Sequence, residues 1–158
     1  MRVSAFDLDV ENWTPNGLAV TSLVIRIFQA NGRLLKTGDA LSRDLGLTST
    51  RWQVLGAIDM QPKTVAQIAR EFELTRQGVL WVVEMLQKES LVELVPNPAH
   101  KRAKLVRLTS AGQHALGEVL NRQRVWADEL GRSFTSGEMQ ICNEVLERFS
   151  ELLKSEES

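Results

Sequence analysis

Side chains able to bind a charged polymer are concentrated in one third of this chain. Residues 61–112 contain eight Lys or Arg and five Glu, a formal charge of +3, whereas the rest of the 158 residues carries −4. The total of 19 basic and 20 acidic residues conceals this asymmetry, so a net charge of −1 is no argument against a polyanionic partner. Two clusters in the positive segment, TRQ at 75–77 and KR at 101–102, are the candidate points of contact.

Catalytic chemistry has little support in the sequence. It contains no glycine-rich phosphate loop, no metal-ligand cluster and no nucleophile elbow. One cysteine and two histidines are too few for a closed zinc site, and Cys142 lies among apolar positions that favour packing over redox sensing. No apolar run approaches the roughly 20 residues of a membrane-spanning helix. We therefore expect a cytoplasmic protein that is not an enzyme and uses neither metal nor cofactor.

Capping residues and apolar periodicity predict a mainly α-helical chain with one small β-hairpin. Threonines suited to cap a helix N-terminus precede six periodic segments, at Thr14, Thr48, Thr64, Thr75, Thr109 and Thr135. Gln67 and Glu138 complete two capping boxes. Val- and Leu-rich runs at 91–95 and 103–108 predict two short strands around a polar tip.

The segment from Thr64 to Leu86 has the internal pattern of a helix-turn-helix. Ala69 is small where two helices cross closely, and Val79 and Val82 are apolar where the second helix docks on the first. The pair is followed directly by the hairpin with its basic tip. The order helix, turn, helix, hairpin predicts a winged helix-turn-helix.

At this point the sequence resembles the multiple-antibiotic-resistance regulator (MarR) family of winged-helix transcription factors. The resemblance is carried by RWQVLGAI at 51–58, TVAQIAREFELTRQGV at 64–79, LVELVPNPAHKRAKLVRLT at 91–109, and the AG that follows. It implies one MarR-like domain over 1–158 that forms an obligate homodimer, with dimerisation helices at 14–46 and 110–154 and a DNA-binding lobe at 48–109. The terminal helices also carry more apolar surface than so small a winged helix buries alone.

The resemblance places a recognition helix from Thr75 in the major groove of DNA. There the side chain of Arg76 can bond guanine and that of Gln77 adenine, while Arg102 corresponds to the wing arginine that enters the minor groove. Lysines of the wing and the helix N-terminus at Thr64 are expected to contact phosphates. The expected DNA-binding residues are Thr64, Thr75, Arg76, Gln77, Trp81, Lys101, Arg102 and Lys104. For each of them the alternative is an ordinary solvated side chain.

Some positions depart from the family pattern. Leu80 and Trp81 stand where the family usually has polar residues, so Trp81 either packs on thymine methyls or sugars, or folds back on the wing as core. Glu84 on the same side would repel phosphate. His100 replaces the aspartate that usually braces the wing, and protonation of its imidazole would add charge there.

The resemblance also suggests a cleft for a small aromatic or anionic effector. Its candidate lining residues are Arg26, Phe28, Arg33, Arg51 and Trp52, although their helical spacing equally suits core and surface. We therefore predict a homodimeric, sequence-specific transcriptional regulator, a repressor that binds a palindromic operator and is relieved by a small ligand. The alternative is a winged-helix protein-interaction module that has lost DNA binding, motivated by Leu80, Trp81 and Glu84.

Overall fold

The computed structural model describes residues 13–156, and within that range it is mainly helical with one antiparallel hairpin. The elements are α1 (Pro15–Ser42), a short 3-10 helix (Arg43–Leu45), α2 (Ser49–Ala57), α3 (Val65–Glu71), α4 (Arg76–Lys88), β1 (Val92–Val95), β2 (Leu105–Leu108), α5 (Ser110–Gly131) and α6 (Ser136–Glu156). This order confirms the predicted winged helix-turn-helix. Within these residues, no helix combines the length and the apolar composition that spanning a bilayer requires.

The chain forms two compact units, and the first ends at Arg51. Its main element, α1, starts as expected: the Thr14 hydroxyl accepts the N–H of Gly17 at 3.0 Å, and Pro15 occupies the first helical position, where no N–H is needed. The helix then continues for 28 residues. A single long helix is therefore the framework of this unit.

Side-chain hydrogen bonds fix the chain that follows α1. The buried Ser42 hydroxyl donates to the Leu47 carbonyl at 2.8 Å, and the Ser49 N–H donates to the Asp39 carboxylate at 2.7 Å. Gly46 adopts a φ of 67°, in the left-handed region that glycine occupies without steric cost. The turn between α1 and α2 is thus defined by polar contacts on both sides.

The second unit, from Trp52 onwards, contains the larger apolar core. Its fully buried large side chains come from α2, α3, α4, the hairpin and the first half of α5: Val54, Leu55, Ile68, Val79, Val83, Leu86, Val92, Val106, Leu116 and Val119. Burial of one such side chain contributes about 1.5–3 kcal/mol. This core fixes the helix-turn-helix relative to the hairpin.

Strand β2 pairs with β1 and also with one residue outside the hairpin. β1 pairs with β2 so that Val92 lies opposite Leu108, and Lys63 forms an isolated antiparallel bridge to Val106 on the other edge of β2. The Val106 N–H donates to the Lys63 carbonyl at 2.8 Å, and the Lys63 N–H donates back at 3.3 Å. The sequence analysis predicted only two strands, because one bridged residue leaves no periodic pattern. The bridge joins the base of the wing to the chain just before α3.

Thr109 organises the start of α5. Its hydroxyl accepts the N–H of Gly112 at 3.0 Å, as predicted for an N-cap, and also lies 2.7 Å from the Ser90 carbonyl oxygen. Its own N–H donates to the Leu91 carbonyl at 3.1 Å. One threonine thus connects the end of the wing, the start of α5 and the chain entering β1.

Much of the apolar surface of α5 and α6 lies outside the core. Along α6 Phe149 is half-buried, and every other side chain described there is exposed. The exposed large apolar residues of the two helices are Leu120, Val125, Leu130, Met139, Ile141, Val145, Leu146, Leu152 and Leu153. Those of α6, together with the half-buried Phe149, recur at helical spacing and form one face, which we call the α6 apolar stripe (Met139, Ile141, Val145, Leu146, Phe149, Leu152 and Leu153). An apolar surface of this kind is typical of an association site.

Candidate nucleic-acid interface

Two short helices, α3 and α4, form the predicted helix-turn-helix. Ala69 and Val79 are both buried, as close crossing of the two helices requires, and the turn between them is fixed by the Leu74 N–H, which donates to the Ala69 carbonyl at 2.8 Å. Glu73 in this turn has a φ of 51°, a conformation that L residues seldom adopt. No local sequence pattern indicated it. Its carboxylate lies 3.1 Å from the Lys154 ammonium group of α6.

Both helices of the pair begin with the predicted threonine caps. Thr64 and Gln67 form a reciprocal capping box, in which the Thr64 hydroxyl accepts the Gln67 N–H at 3.2 Å and the Gln67 amide oxygen accepts the Thr64 N–H at 2.8 Å. The Thr75 hydroxyl accepts the Gly78 N–H at 3.1 Å. Such caps contribute about 1 kcal/mol each. Thr64 and Thr75, two of the residues predicted to contact DNA, therefore use their hydroxyls to cap the two helices.

The helix α4 turns one side to the core and the other to solvent. Its buried side chains are Val79, Val82, Val83 and Leu86. At 100° per residue, Gln77, Trp81 and Glu84 lie on the opposite side, and all three are exposed. Trp81 is 62% exposed and the neighbouring Leu80 47%. The alternative in which Trp81 folds back as core is therefore wrong.

The wing tip carries cations on a locally hydrogen-bonded loop. Lys101, Arg102 and Lys104 are all exposed. The Nδ1 atom of His100 accepts the Ala103 N–H at 3.2 Å. The imidazole thus supplies a hydrogen-bond acceptor in the wing at the position where the resemblance led us to expect an aspartate.

Ion pairing leaves the interface segment with a positive surplus. Three of the five carboxylates within residues 61–112 are paired with cations: Glu71 with Lys63, Glu73 with Lys154, and Glu93 with Arg107. The Glu93–Arg107 pair crosses the two strands, with one carboxylate oxygen accepting from both Nε at 3.0 Å and Nη2 at 2.8 Å. Only Lys63 and Arg107 of the eight Lys or Arg in the segment take part in these three pairs, and the other six include Arg76 and the three cations of the wing tip. The surface around α4 and the wing is therefore cationic.

The residues predicted to line an effector cleft lie on α1 and α2. Arg26, Phe28 and Arg33 are all exposed on α1, and helical geometry places Phe28 on the opposite side from the two arginines. A ligand in contact with all three would have to touch two faces of one helix. Arg51 donates through Nη1 to the Gly46 carbonyl at the turn before α2.

Trp52, on α2, has an unusual environment. Its side chain is half-buried, and the indole Nε1 atom is shielded from solvent without an acceptor in the part of the chain that is described. Leaving such a donor unsatisfied costs about 1–3 kcal/mol. An added hydrogen-bond acceptor at this point would be favourable.

Comparison with known proteins gives a consistent result. A family model described as MarR family matches residues 45–103. An uncharacterised protein of Mycobacterium tuberculosis is 32% identical over 137 residues, which cover 87% of this chain and 96% of that protein. The transcriptional activatory protein BadR of Rhodopseudomonas palustris is 30% identical over 109 residues, 66% of this chain and 62% of BadR. The crystal structure of CouR from Rhodococcus jostii bound to p-coumaroyl-CoA has a similar fold, with a TM-score of 0.74 and 16% identity over 80% of this chain and 90% of that one.

Proposed function

Since the chain belongs to the MarR family of DNA-binding transcription regulators, we propose that it acts as a homodimer on a palindromic operator and represses genes near its own. The observation that carries the proposal is the joint exposure of two polar elements in one compact unit. Arg76 and Gln77 start the exposed side of α4, and Lys101, Arg102 and Lys104 project from the wing tip. The first pair suits base edges in a major groove, and the wing cations suit phosphates and the minor groove.

The α6 apolar stripe supports the dimer in this proposal. A symmetric dimer buries the same patch of both protomers, which removes from water the side chains that a single chain leaves exposed. Two recognition helices held in one dimer reach half-sites about 10 base pairs apart, so dimer geometry selects a palindrome. In this proposal the helices at 14–46 and 110–154 pair the protomers, and residues 48–109 bind DNA.

Selection from a random DNA library with the full chain tests the proposal directly. We expect a palindrome to be enriched and its affinity to fall steeply with salt, because each dimer displaces several counterions from phosphates. Failure to enrich any sequence, together with no mobility shift at low salt, would contradict DNA binding.

The indole N–H of Trp52, which has no acceptor within residues 13–156, supports relief by a small ligand. An acceptor on the effector, such as a carboxylate or phenolate oxygen, would satisfy this shielded N–H. A ligand that prefers a dimer with wrongly spaced recognition helices would lower the affinity for DNA. The name of BadR describes an activator, so a reporter fused to the selected operator is the measurement of sign. Repression predicts a higher signal when the gene is deleted.

A second candidate function rests on Leu80, Trp81 and Glu84, which are exposed on α4 and include no cation. In this alternative the winged helix binds a protein and has lost its affinity for DNA. It predicts that Trp81→Ala weakens a protein complex and that no DNA sequence is bound by either form. Enrichment of a palindrome by the unmodified chain would exclude this alternative.

A further inference from the structure

Leu80 and Trp81 form an apolar patch on the exposed side of α4, here named the Leu80–Trp81 patch. Isolated exposed apolar residues are ordinary on protein surfaces. These two are large, adjacent, and about half or more exposed. They also lie one helical turn after Arg76 and Gln77, on the side that the proposed function turns towards DNA. The patch is therefore placed where a base edge, not water, would be its neighbour in the bound state.

We propose that the Leu80–Trp81 patch recognises the C5 methyl groups of thymine in the major groove. The inference rests on the proposed DNA binding and names the base chemistry on which its specificity depends. Thymine is the base that presents a methyl group in the major groove, beside the donors and acceptors of the other edges. Burial of that methyl against leucine and indole removes apolar area from water on both partners.

The composition of this side of α4 suits the floor of the groove better than the DNA backbone. Gln77 can bond adenine, and Glu84 can accept from the amino group of cytosine but repels phosphate. Trp81 between them offers apolar surface and a single N–H donor. None of these three side chains carries a positive charge that would attract phosphate. Each can instead contact a base edge, Gln77 through its amide, Trp81 through its apolar ring and Glu84 through its carboxylate.

Charge around the patch favours DNA over a protein partner. Arg76 precedes the patch, Lys88 ends the same helix, and the wing tip adds three exposed cations. A polyanion would gain attraction at both ends of the patch while its bases meet the apolar centre.

Helix geometry gives the position of the recognised thymine. Trp81 follows Gln77 by four residues, which is about 6 Å along the helix axis. This rise corresponds to less than two base-pair steps of about 3.4 Å. The thymine should therefore lie within about two base pairs of the base that Gln77 contacts, once in each half-site.

The test replaces thymine with deoxyuridine in the selected operator, using the full chain. Each thymine is changed in turn in both half-sites, which removes the C5 methyl and preserves base pairing. At the position near the Gln77 contact we expect affinity to fall about fourfold per half-site, the effect of one buried methyl group. Leu80→Ala should reduce this sensitivity, and Trp81→Ala should bind the thymine and deoxyuridine operators equally well.

Two further variants serve as controls. Lys101→Ala should weaken binding to both operators and preserve the difference between them, because its partner is a phosphate. Trp81→Phe retains an aromatic ring and should retain part of the methyl sensitivity. The side chains of Leu80 and Trp81 are both exposed, so the melting temperatures of the variants should match that of the unmodified chain.

The proposal is overturned if the unmodified chain binds every deoxyuridine operator as tightly as the thymine operator, or if Trp81→Ala keeps the full methyl sensitivity. Uniform binding to all operators, with a protein complex lost in Trp81→Ala, would assign the patch to a protein partner and equally overturn it. A library selection that enriches no sequence is a different result, because it rejects the proposed DNA binding itself.

Discussion

Gly112 lies so close to Leu91 that a Cβ atom on the glycine would stand 2.0 Å from the Leu91 carbonyl oxygen. The obstacle is backbone, and the same carbonyl accepts the Thr109 N–H, so it cannot move without loss of a hydrogen bond. The first turn of α5 can therefore pack directly against the chain entering β1 because residue 112 has no side chain.

Gly112→Ala should lower the free energy of unfolding by about 3 kcal/mol or more, because the backbone must shift to admit the methyl group. Denaturant unfolding at fixed protein concentration measures the change. Gly56→Ala is the matched control: Gly56 lies in α2 with nothing within 4 Å of an added Cβ, so a gain of up to about 1 kcal/mol is expected. Similar effects of the two substitutions would contradict the close approach.

The capping box of α6 should make stability depend on pH. The backbone N–H and the hydroxyl of Thr135 both hydrogen-bond the Glu138 carboxylate, and they lower the pKa of that carboxyl below its usual 4.5. A carboxyl whose pKa is lower in the folded state stabilises the fold fully above the unfolded pKa, and the contribution is lost as pH falls through the folded pKa.

Glu138→Gln should therefore be less stable than the unmodified chain at pH 7, and the difference should shrink as the pH is lowered below 4.5. Denaturation midpoints across this range measure it. The capping box of α3 is the internal comparison, because its partner residue Gln67 is a neutral amide that does not titrate. The loss of stability in Gln67→Ala should therefore not depend on pH over this range. If the stability difference between Glu138→Gln and the unmodified chain stays constant from pH 7 to below pH 4.5, the carboxylate of Glu138 does not stabilise the start of α6.

Arg102 should contribute to DNA binding through charge at the wing tip. Arg102→Ala should weaken operator binding and reduce the slope of log affinity against log salt by about 1 per half-site, the loss of one neutralised phosphate or groove contact. Fluorescence anisotropy over a salt series measures both quantities. Arg132→Ala removes an equal charge from the end of α5, where the arginine pairs with Glu129, and should leave the slope unchanged. Equal slopes for all three proteins would show that the wing does not carry the contact.

The α6 apolar stripe should be the site of self-association. Ile141 is 63% exposed in the single chain, so Ile141→Glu should fold normally, but burial of an unpaired carboxylate in a symmetric interface should raise the dimer dissociation constant by about 100-fold. Sedimentation at several concentrations measures it. Asn143→Glu adds the same charge on the other side of α6 and should remain a dimer. Monomers in both variants, or in neither, would contradict a dimer through this stripe.

The parts of the fold that depend on neighbouring residues were predictable from the sequence. Thr64 with Gln67 and Thr135 with Glu138 form the expected capping boxes, because cap and partner lie three residues apart and need no distant contact. The bridge of Lys63 to Val106 was not predicted, because it joins segments that periodicity does not connect.

Part of the candidate site could not be predicted from the sequence. Glu73 adopts a left-handed conformation in the turn between α3 and α4, although glutamate itself does not favour it. The exposure of Trp81 was left open between two interpretations, because a tryptophan suits both a core and a binding surface. Only the position of the buried stripe of α4 separates the two.

The wing is anchored at its base and self-contained at its tip. β2 is held by β1 on one edge and by Lys63 on the other, whereas the hydrogen bonds of the tip join near neighbours, Asn97 with Ala99 and His100 with Ala103. Among the described residues, the loop between the strands therefore makes few hydrogen bonds to the rest of the fold and can be exchanged for another loop. Insertions or exchanges there should be tolerated by the scaffold, so the proposed contact of the wing with DNA can change between related regulators, or be redesigned, while the winged helix beneath it stays the same.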